Sequence, residues 1–322
     1  MTGRTRIAFG PRTSAPSWDW VGVRVARQLT ADFDVAFFDD FVRVPDAEIV
    51  VVVKVRPSPE FVDALRKKRS NLVYIPIDRY RSEQEIREDA RFLEACELVL
   101  LHSEALRPFI QEFNRRVAFI EHESRYALPD LVDFKSDGFV LWIGACEHVP
   151  HVVKWLDGHR LAAEVKLLTN YNTKNARMRA HFTAHDIGVR LHFAEGRING
   201  HEAILWSEAT QESLMRQCRA AIDIKGEDFN QATKPPTKAQ QFIASGIPFG
   251  CNPGSSVALY LRENGFDVAD AADANRLFSP EYWAETRAFA PKLRARTSPE
   301  AVGQSFVRQI EMLVSSTSPA GG

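Results

Sequence analysis

Cysteine is scarce in this chain of 322 residues: Cys96, Cys146, Cys218 and Cys251 are scattered, with no C-x-x-C spacing. That excludes a disulfide frame and a thiolate zinc site, and leaves small buried hydrophobes of a reducing compartment. An excess of charge of either sign is also lacking, with 41 Lys plus Arg against 42 Asp plus Glu. A nucleic-acid binder is usually strongly basic, so no nucleic-acid partner is expected. No apolar run reaches the roughly 18 residues a membrane span needs, and no signal-peptide h-region stands at the N-terminus; a cytoplasmic location is the expectation. The first strand-to-helix turn, RTSAPSWDWVG (12–22), lacks G-x-G-x-x-G, which argues against a dinucleotide oxidoreductase.

What the chain has is rhythm. Short apolar runs alternate with longer amphipathic stretches, the pattern of βαβ units on a parallel sheet. Strands are expected at RIAFG (6–10), DVAFF (34–38), IVVVVKV (49–55), LVYIPI (72–77), LVLLHS (98–103) and VAFIEH (117–122), with helices at 18–30, 59–68, 82–95 and 104–113. A polar stretch from 123 to 138 reads as a linker. The rhythm then resumes with FVLWIG (139–144), EVKLLT (164–169), VRLHFA (189–194), AAIDIK (220–225), IPFGC (247–251) and FDVAD (266–270). The expected division is an N-terminal domain over 1–136, a second over 137–280, terminal helices over 281–314 returning to the first, and a flexible tail at 315–322. Ligands of such sheets bind beyond the carboxyl ends of the strands.

The stretch KPPTKAQQFIASGIPFGCNPGSS (234–256) holds the most local information. Thr237 reads as an N-cap, Lys238 to Ser245 as a short helix, and Gly246 as its left-handed C′ residue. Unpaired N–H groups in the first turn, with Lys234 and Lys238 beside them, suit an anion. Pro253-Gly254-Ser255-Ser256 offers a second capped turn, closed by Gly265 at the end of its helix. Two helix starts and two lysines at neighbouring strand ends fit a diphosphate.

PPTKAQQFIASGIPFGCN followed by YLRENGFDVAD resembles the C-terminal half of GT-B-fold glycosyltransferases. FVLWIGAC, ESLMRQCRAAIDIKGE and CELVLLHSEAL extend the resemblance more weakly over almost the whole chain. It implies an α/β fold of two doubly wound, Rossmann-like domains facing a cleft. It also implies a hexosyltransferase-type enzyme that takes its sugar from a nucleotide-diphosphate sugar, with no other cofactor. The acceptor, whether carbohydrate, lipid or protein, is unidentified. Many retaining members carry two glutamates flanking this helix start; the matching places here hold Thr233 and Gln241. Two alternatives stay open: a sugar-nucleotide epimerase of the same fold, and a non-catalytic nucleotide-sugar-binding partner.

GT-B enzymes neutralise a departing diphosphate with helix termini and basic residues, and no D-x-D stands where a metal clamp would need one. Metal-independence is therefore expected. Donor-binding candidates are Lys234, Thr237, Lys238, Gln241 and Ser255, then Asn172 and Lys174 after the second strand of the C-terminal half, and Glu227. The stretch 194–206 is read as a loop able to cradle the base. Glu147, His148 and His151 lie in a loop without ligand geometry, so no metal site is assigned. Asp19 and Asp78 are the candidates for a general base, since an oxygen nucleophile must lose a proton. His102 is read as a buried, satisfied histidine. Arg66-Lys67-Lys68-Arg69 reads as cations at a helix end; a peripheral contact with anionic lipid or a charged glycan is the sharper alternative.

Overall fold

The computed structural model describes residues 4–317. The chain forms two compact units. The first comprises the described residues up to Glu123, Asp228–Pro235, and those from Arg296 on; the second comprises Ser124–Glu227 and Pro236–Ala295.

In the first unit six parallel strands, β1 (Arg6–Gly10), β2 (Asp34–Phe37), β3 (Ile49–Val53), β4 (Asn71–Ile75), β5 (Leu98–Leu101) and β6 (Val117–Phe119), form a sheet in the order β2-β1-β3-β4-β5-β6. All five residues of β3 are buried, as a central strand covered by helices on both faces requires. Alternate side chains feed two cores. Phe9, Val51, Val53 and Ile75 join Val25 and Leu29 of the helix Arg24–Leu29 and Phe306 and Ile310 of the helix Pro299–Thr317. Val50, Val52, Leu72 and Tyr74 pack on Phe61 and Leu65 of the helix Pro59–Lys68. Each fully buried side chain of this kind contributes roughly 1.5–3 kcal/mol. Ser58 caps that last helix by accepting from the Phe61 N–H, and Arg69 ends it with φ of 59°.

The second unit holds β7 (Val140–Ile143), β8 (Val165–Thr169), β9 (Phe193–Ala194), β10 (Arg197–Ile198), β11 (His201–Leu205), β12 (Ala220–Asp223), β13 (Phe249–Cys251) and β14 (Ala269–Asp270). Their order is β14-β13-β12-β7-β8-β11-β10-β9, with β9 and β10 antiparallel and the rest parallel. Counting only the parallel strands, this is the 3-2-1-4-5-6 order of a nucleotide-binding sheet, with its switch point between β7 and β12. The stretch expected to be a loop, 194–206, instead supplies a hairpin and the third parallel strand, β11. Glu202 on β11 pairs with Lys166 on β8 at 2.8 Å, so the polar residues that disguised this strand are cross-strand partners.

The linker-like stretch lies inside the second unit. The Leu128 N–H donates to Ser245 Oγ at 2.9 Å, and Arg294 donates to the carbonyls of Leu128 and Pro129 at 2.7 and 2.6 Å. The helix Pro280–Thr297 belongs to the second unit up to Ala295. The last helix runs to Thr317, so residues 315–317 of the expected tail are helical; 318–322 lie outside the described residues. Among the described residues no helix is long and apolar enough to cross a membrane.

Candidate functional site

At the switch point of the second unit a buried carboxylate is held between two lysines. Asp223, the last residue of β12, is 2% exposed; its Oδ1 accepts from Lys238 Nζ at 3.1 Å and its Oδ2 from Lys225 Nζ at 2.9 Å. Burial alone would raise the Asp223 carboxyl, but the two ammonium groups outweigh it and hold the group down at about 2. Two cations against one anion leave the cluster at +1.

Lys238 Nζ also sits 5.1 Å from the ring centroid of Trp142 on β7, within cation–π range. Gly144 follows β7 at this point. A Cβ there would lie 2.5 Å from the Trp142 ring and 3.2 Å from Lys238 Nζ, so the residue must be small for the lysine to lie against the strand end. The Lys225 N–H donates to Asn252 Oδ1 at 2.8 Å, tying the loop after β12 to the loop after β13.

Lys238 is in the first turn of the helix Thr237–Ala244, but Thr237 is not its cap. Pro236 occupies the N-cap, Thr237 is the first helical residue, and its buried Oγ1 has no partner among the described residues. The double proline starts the helix one residue earlier than the threonine suggests. Gly246 has φ of 73°, as its C′ role demands. Ser255 caps the helix Ser256–Glu263, accepting from the Ala258 N–H at 3.2 Å and donating to the Asn252 carbonyl at 2.8 Å. Its hydroxyl is thereby committed to the turn. Gln241 is buried, its Oε1 accepting from Gln211 Nε2 at 3.2 Å, and Gln211 Oε1 accepts from Trp206 Nε1 at 2.8 Å. This chain of amides is internal structure. Asn172 and Lys174 are exposed at the start of the helix Lys174–Asp186, which Thr173 caps. Glu227 is exposed on the loop after β12.

Lys234 belongs to the first unit, as does the whole segment Asp228–Pro235. Asp228 caps the short helix Phe229–Ala232, Phe229 lies edge-on to Phe109 at 5.1 Å, and Asn230 donates to the Tyr80 carbonyl at 3.3 Å. Lys234 Nζ donates to Asp78 Oδ1 at 2.9 Å. Asp78 follows β4 with φ of 50°, a left-handed conformation that few residues other than glycine adopt outside special sites. Asp78, Tyr80, Asn230 and Lys234 line a pocket of about 20 Å³ at the carboxyl ends of β4 and β5, together with His102, Ser103 and Thr233.

His102, just past β5, is 5% exposed and donates from Nδ1 to the Ile120 carbonyl at 2.8 Å; its Nε2 has no partner among the described residues. The expectation of a satisfied histidine is therefore corrected: one ring nitrogen is bonded and the other is not. Its ring centroid lies 4.3 Å from that of His122. Burial first, and then the His122 ring, push His102 well below the ordinary histidine value, and burial pushes His122 down to about 4. Asp19, half-buried, opens the π-helical turn Asp19–Val23, a form common at functional sites.

Near β7, Glu147 pairs with Arg179 at 3.1 Å, while His148 lies 3.9 Å from it. Among the described residues no group of three or more His, Cys, Asp or Glu is placed to hold a metal ion.

No protein-family model matches the chain, and no curated protein matches it in sequence. Solved structures do match in shape. HepE of Anabaena, solved in complex with UDP-glucose, is 12% identical, with a TM-score of 0.62 over 96% of this chain and 100% of that one. AviGT4, a glycosyltransferase involved in avilamycin A biosynthesis, is 11% identical, with a TM-score of 0.59 over 97% and 99%. A putative UDP-N-acetylglucosamine 2-epimerase from Listeria monocytogenes is 8% identical, with a TM-score of 0.50 over 98% of each chain. These likenesses, together with two doubly wound parallel sheets, show that the chain has the fold of the GT-B glycosyltransferases.

Proposed function

We propose that this protein transfers a sugar, of hexose class, from a nucleotide-diphosphate sugar to an acceptor hydroxyl without a metal. The observation that carries the reading is the Lys225–Asp223–Lys238 cluster at the β7/β12 switch point, where a doubly wound sheet binds its nucleotide. A net positive cluster at the head of a helix stabilises the charge that develops on a departing diphosphate, most strongly where water is excluded. Lys238, a quarter of whose side chain is exposed, is the residue assigned to the phosphates; Lys225, at 9%, holds Asp223 in place. The similarity in fold to a protein solved with UDP-glucose supports a sugar nucleotide as the donor.

In the reaction the bond from the sugar's anomeric carbon to the diphosphate breaks and a bond to the acceptor oxygen forms. The acceptor's proton must leave. Asp78 and Asp19 of the first unit are assigned to take it, and Asp78 must first loosen its pairing with Lys234. A thermal-shift screen with UDP, GDP, dTDP, CDP and their sugars tests the reading. Stabilisation by one diphosphate series is expected, and no response to any of them would overturn it.

A second reading, nucleotide-sugar binding without transfer, has one observation in its favour. The two places where many GT-B enzymes carry glutamates hold Gln241, bonded to Gln211, and Thr233, whose hydroxyl donates to the Phe229 carbonyl at 2.8 Å. Release of free diphosphate in the presence of an acceptor panel separates the two. Conversion of the sugar nucleotide to its C2 epimer would instead indicate the epimerase.

A further inference from the structure

The small pocket of the first unit has a buried polar floor that no hydrogen bond within the described chain explains. His102 Nε2 and Ser103 Oγ are both without partners among the described residues, and the two side chains are 5% and 4% exposed. A buried polar group left without a hydrogen bond costs about 1–3 kcal/mol, so two on residues that line one pocket call for a ligand or a water.

The chemistry of the missing partner follows from the donors and acceptors. A backbone carbonyl can only accept, so His102 Nδ1 carries the proton toward Ile120, and the neutral ring offers Nε2 as a lone pair. The partner must therefore donate a proton to His102, and it can accept one from Ser103. A hydroxyl does both at once, whereas a phosphate oxygen or carboxylate only accepts. Size agrees: about 20 Å³ admits a single water-sized group, for which on the order of 10–15 Å³ is needed, and excludes a phosphate or a sugar ring. At the exposed side stand Asp78 and Lys234, with 32% and 21% of their side chains in solvent. They provide a charged acceptor and a charged donor for the hydroxyls of a polyol reaching inward.

We infer that this pocket is a hydroxyl subsite for a carbohydrate: one sugar hydroxyl enters past the Asp78–Lys234 pair, donates to His102 Nε2 and accepts from Ser103 Oγ. The inference deepens the proposed function and rests on it for the class of ligand. It assigns specificity to two residues that take no part in the phosphate site of the second unit.

The test uses the full chain carrying ¹⁵N-labelled histidine, titrated with glucose, galactose, mannose and N-acetylglucosamine, followed by the monodeoxy analogues of whichever sugar responds. One sugar should move the His102 Nε2 resonance, and one deoxy analogue of it should not. Ser103→Ala should weaken that sugar by about threefold to tenfold. His102→Gln, which keeps an acceptor and whose folding is checked by thermal melting, should retain more affinity than His102→Phe. A His102 resonance indifferent to every sugar, or moved equally by all the deoxy analogues, means that the pocket holds only water and overturns the inference. Nucleotide diphosphate is titrated separately. Diphosphate binding without a sugar response overturns the subsite alone, and a sugar response without diphosphate binding overturns the proposed function alone.

Discussion

The two units share an architecture and differ in what they place at the carboxyl ends of their strands. The second collects full charges at its switch point, two lysines on a buried aspartate, between β7 and β12. The first collects neutral groups there, two histidines and a serine with unmade hydrogen bonds, beside charged pairs: Asp78 with Lys234 at the rim, and the buried Asp89 with Arg56 and Arg79. A buried charge cluster suits a charged ligand and is costly to break. A buried neutral pocket suits a hydroxyl and tolerates substitution better. Under the proposed function and the inferred subsite, one fold serves two ligand chemistries, and substitutions at Asp223, His122 and Lys238 each act on one side of that contrast.

The largest effect is expected from Asp223→Asn, which removes the buried carboxylate that Lys225 and Lys238 both bond. Breaking a buried pair in this way costs about 3–5 kcal/mol, so the urea midpoint should fall steeply. A loss below about 1 kcal/mol, a value typical of exposed pairs, would mean that the cluster is hydrated and not the buried charge site described here.

Acid should separate the units next. His122 is held at about 4 in the folded protein against 6.5 for a free histidine, so it binds no proton when folded but does when unfolded. Its effect is stability present above pH 6.5 and lost as pH falls toward 4, amounting to about 3 kcal/mol. His102 is lowered too and acts in the same direction. Asp223, at about 2 against 3.8, withdraws its contribution only in the lower window between those values. Unfolding free energy measured from neutral pH down to about pH 4 should decline, and His122→Phe should recover a large part of that decline. Coincident profiles for the wild type and His122→Phe would contradict the buried neutral histidine.

The smallest effect is expected from chelation. If Lys238 and the helix start do the work of a cation, EDTA should leave turnover unchanged. Complete loss, restored by Mg²⁺ or Mn²⁺, would place a metal at the phosphate site and remove the contrast's physical basis.

Much of this was legible in the sequence, because apolar runs such as IVVVV and the turn residues Gly246, Ser255 and Gly265 report local requirements. What stayed hidden depends on partners distant along the chain. The stretch 194–206, expected to cradle the base, instead holds the strand HEAIL (201–205), whose Glu202 stands opposite Lys166. Lys238, expected beside a bound anion, also bonds the buried Asp223 fifteen residues earlier; the signal was an acidic residue ending the otherwise apolar strand AAID. The segment Asp228–Pro235 sits between two elements of the second unit in sequence yet packs with the first, through contacts of Phe229 and Asn230 that no periodicity announces. Thr237 misled because a good capping residue directly follows a proline that had already taken the position.

In the proposed reaction Lys238 binds the phosphates of a sugar nucleotide. The most direct test of this binding is calorimetric titration of wild type and Lys238→Ala with the nucleoside diphosphate selected by the thermal-shift screen, and with the corresponding nucleoside. Lys225 still pairs with Asp223 in the variant, so the protein should remain folded, destabilised by about 1–3 kcal/mol. Loss of a charge-assisted contact should weaken the diphosphate by about tenfold to a hundredfold and leave the nucleoside unchanged. An unaltered diphosphate affinity in folded Lys238→Ala protein would contradict the assignment of the donor site to this helix.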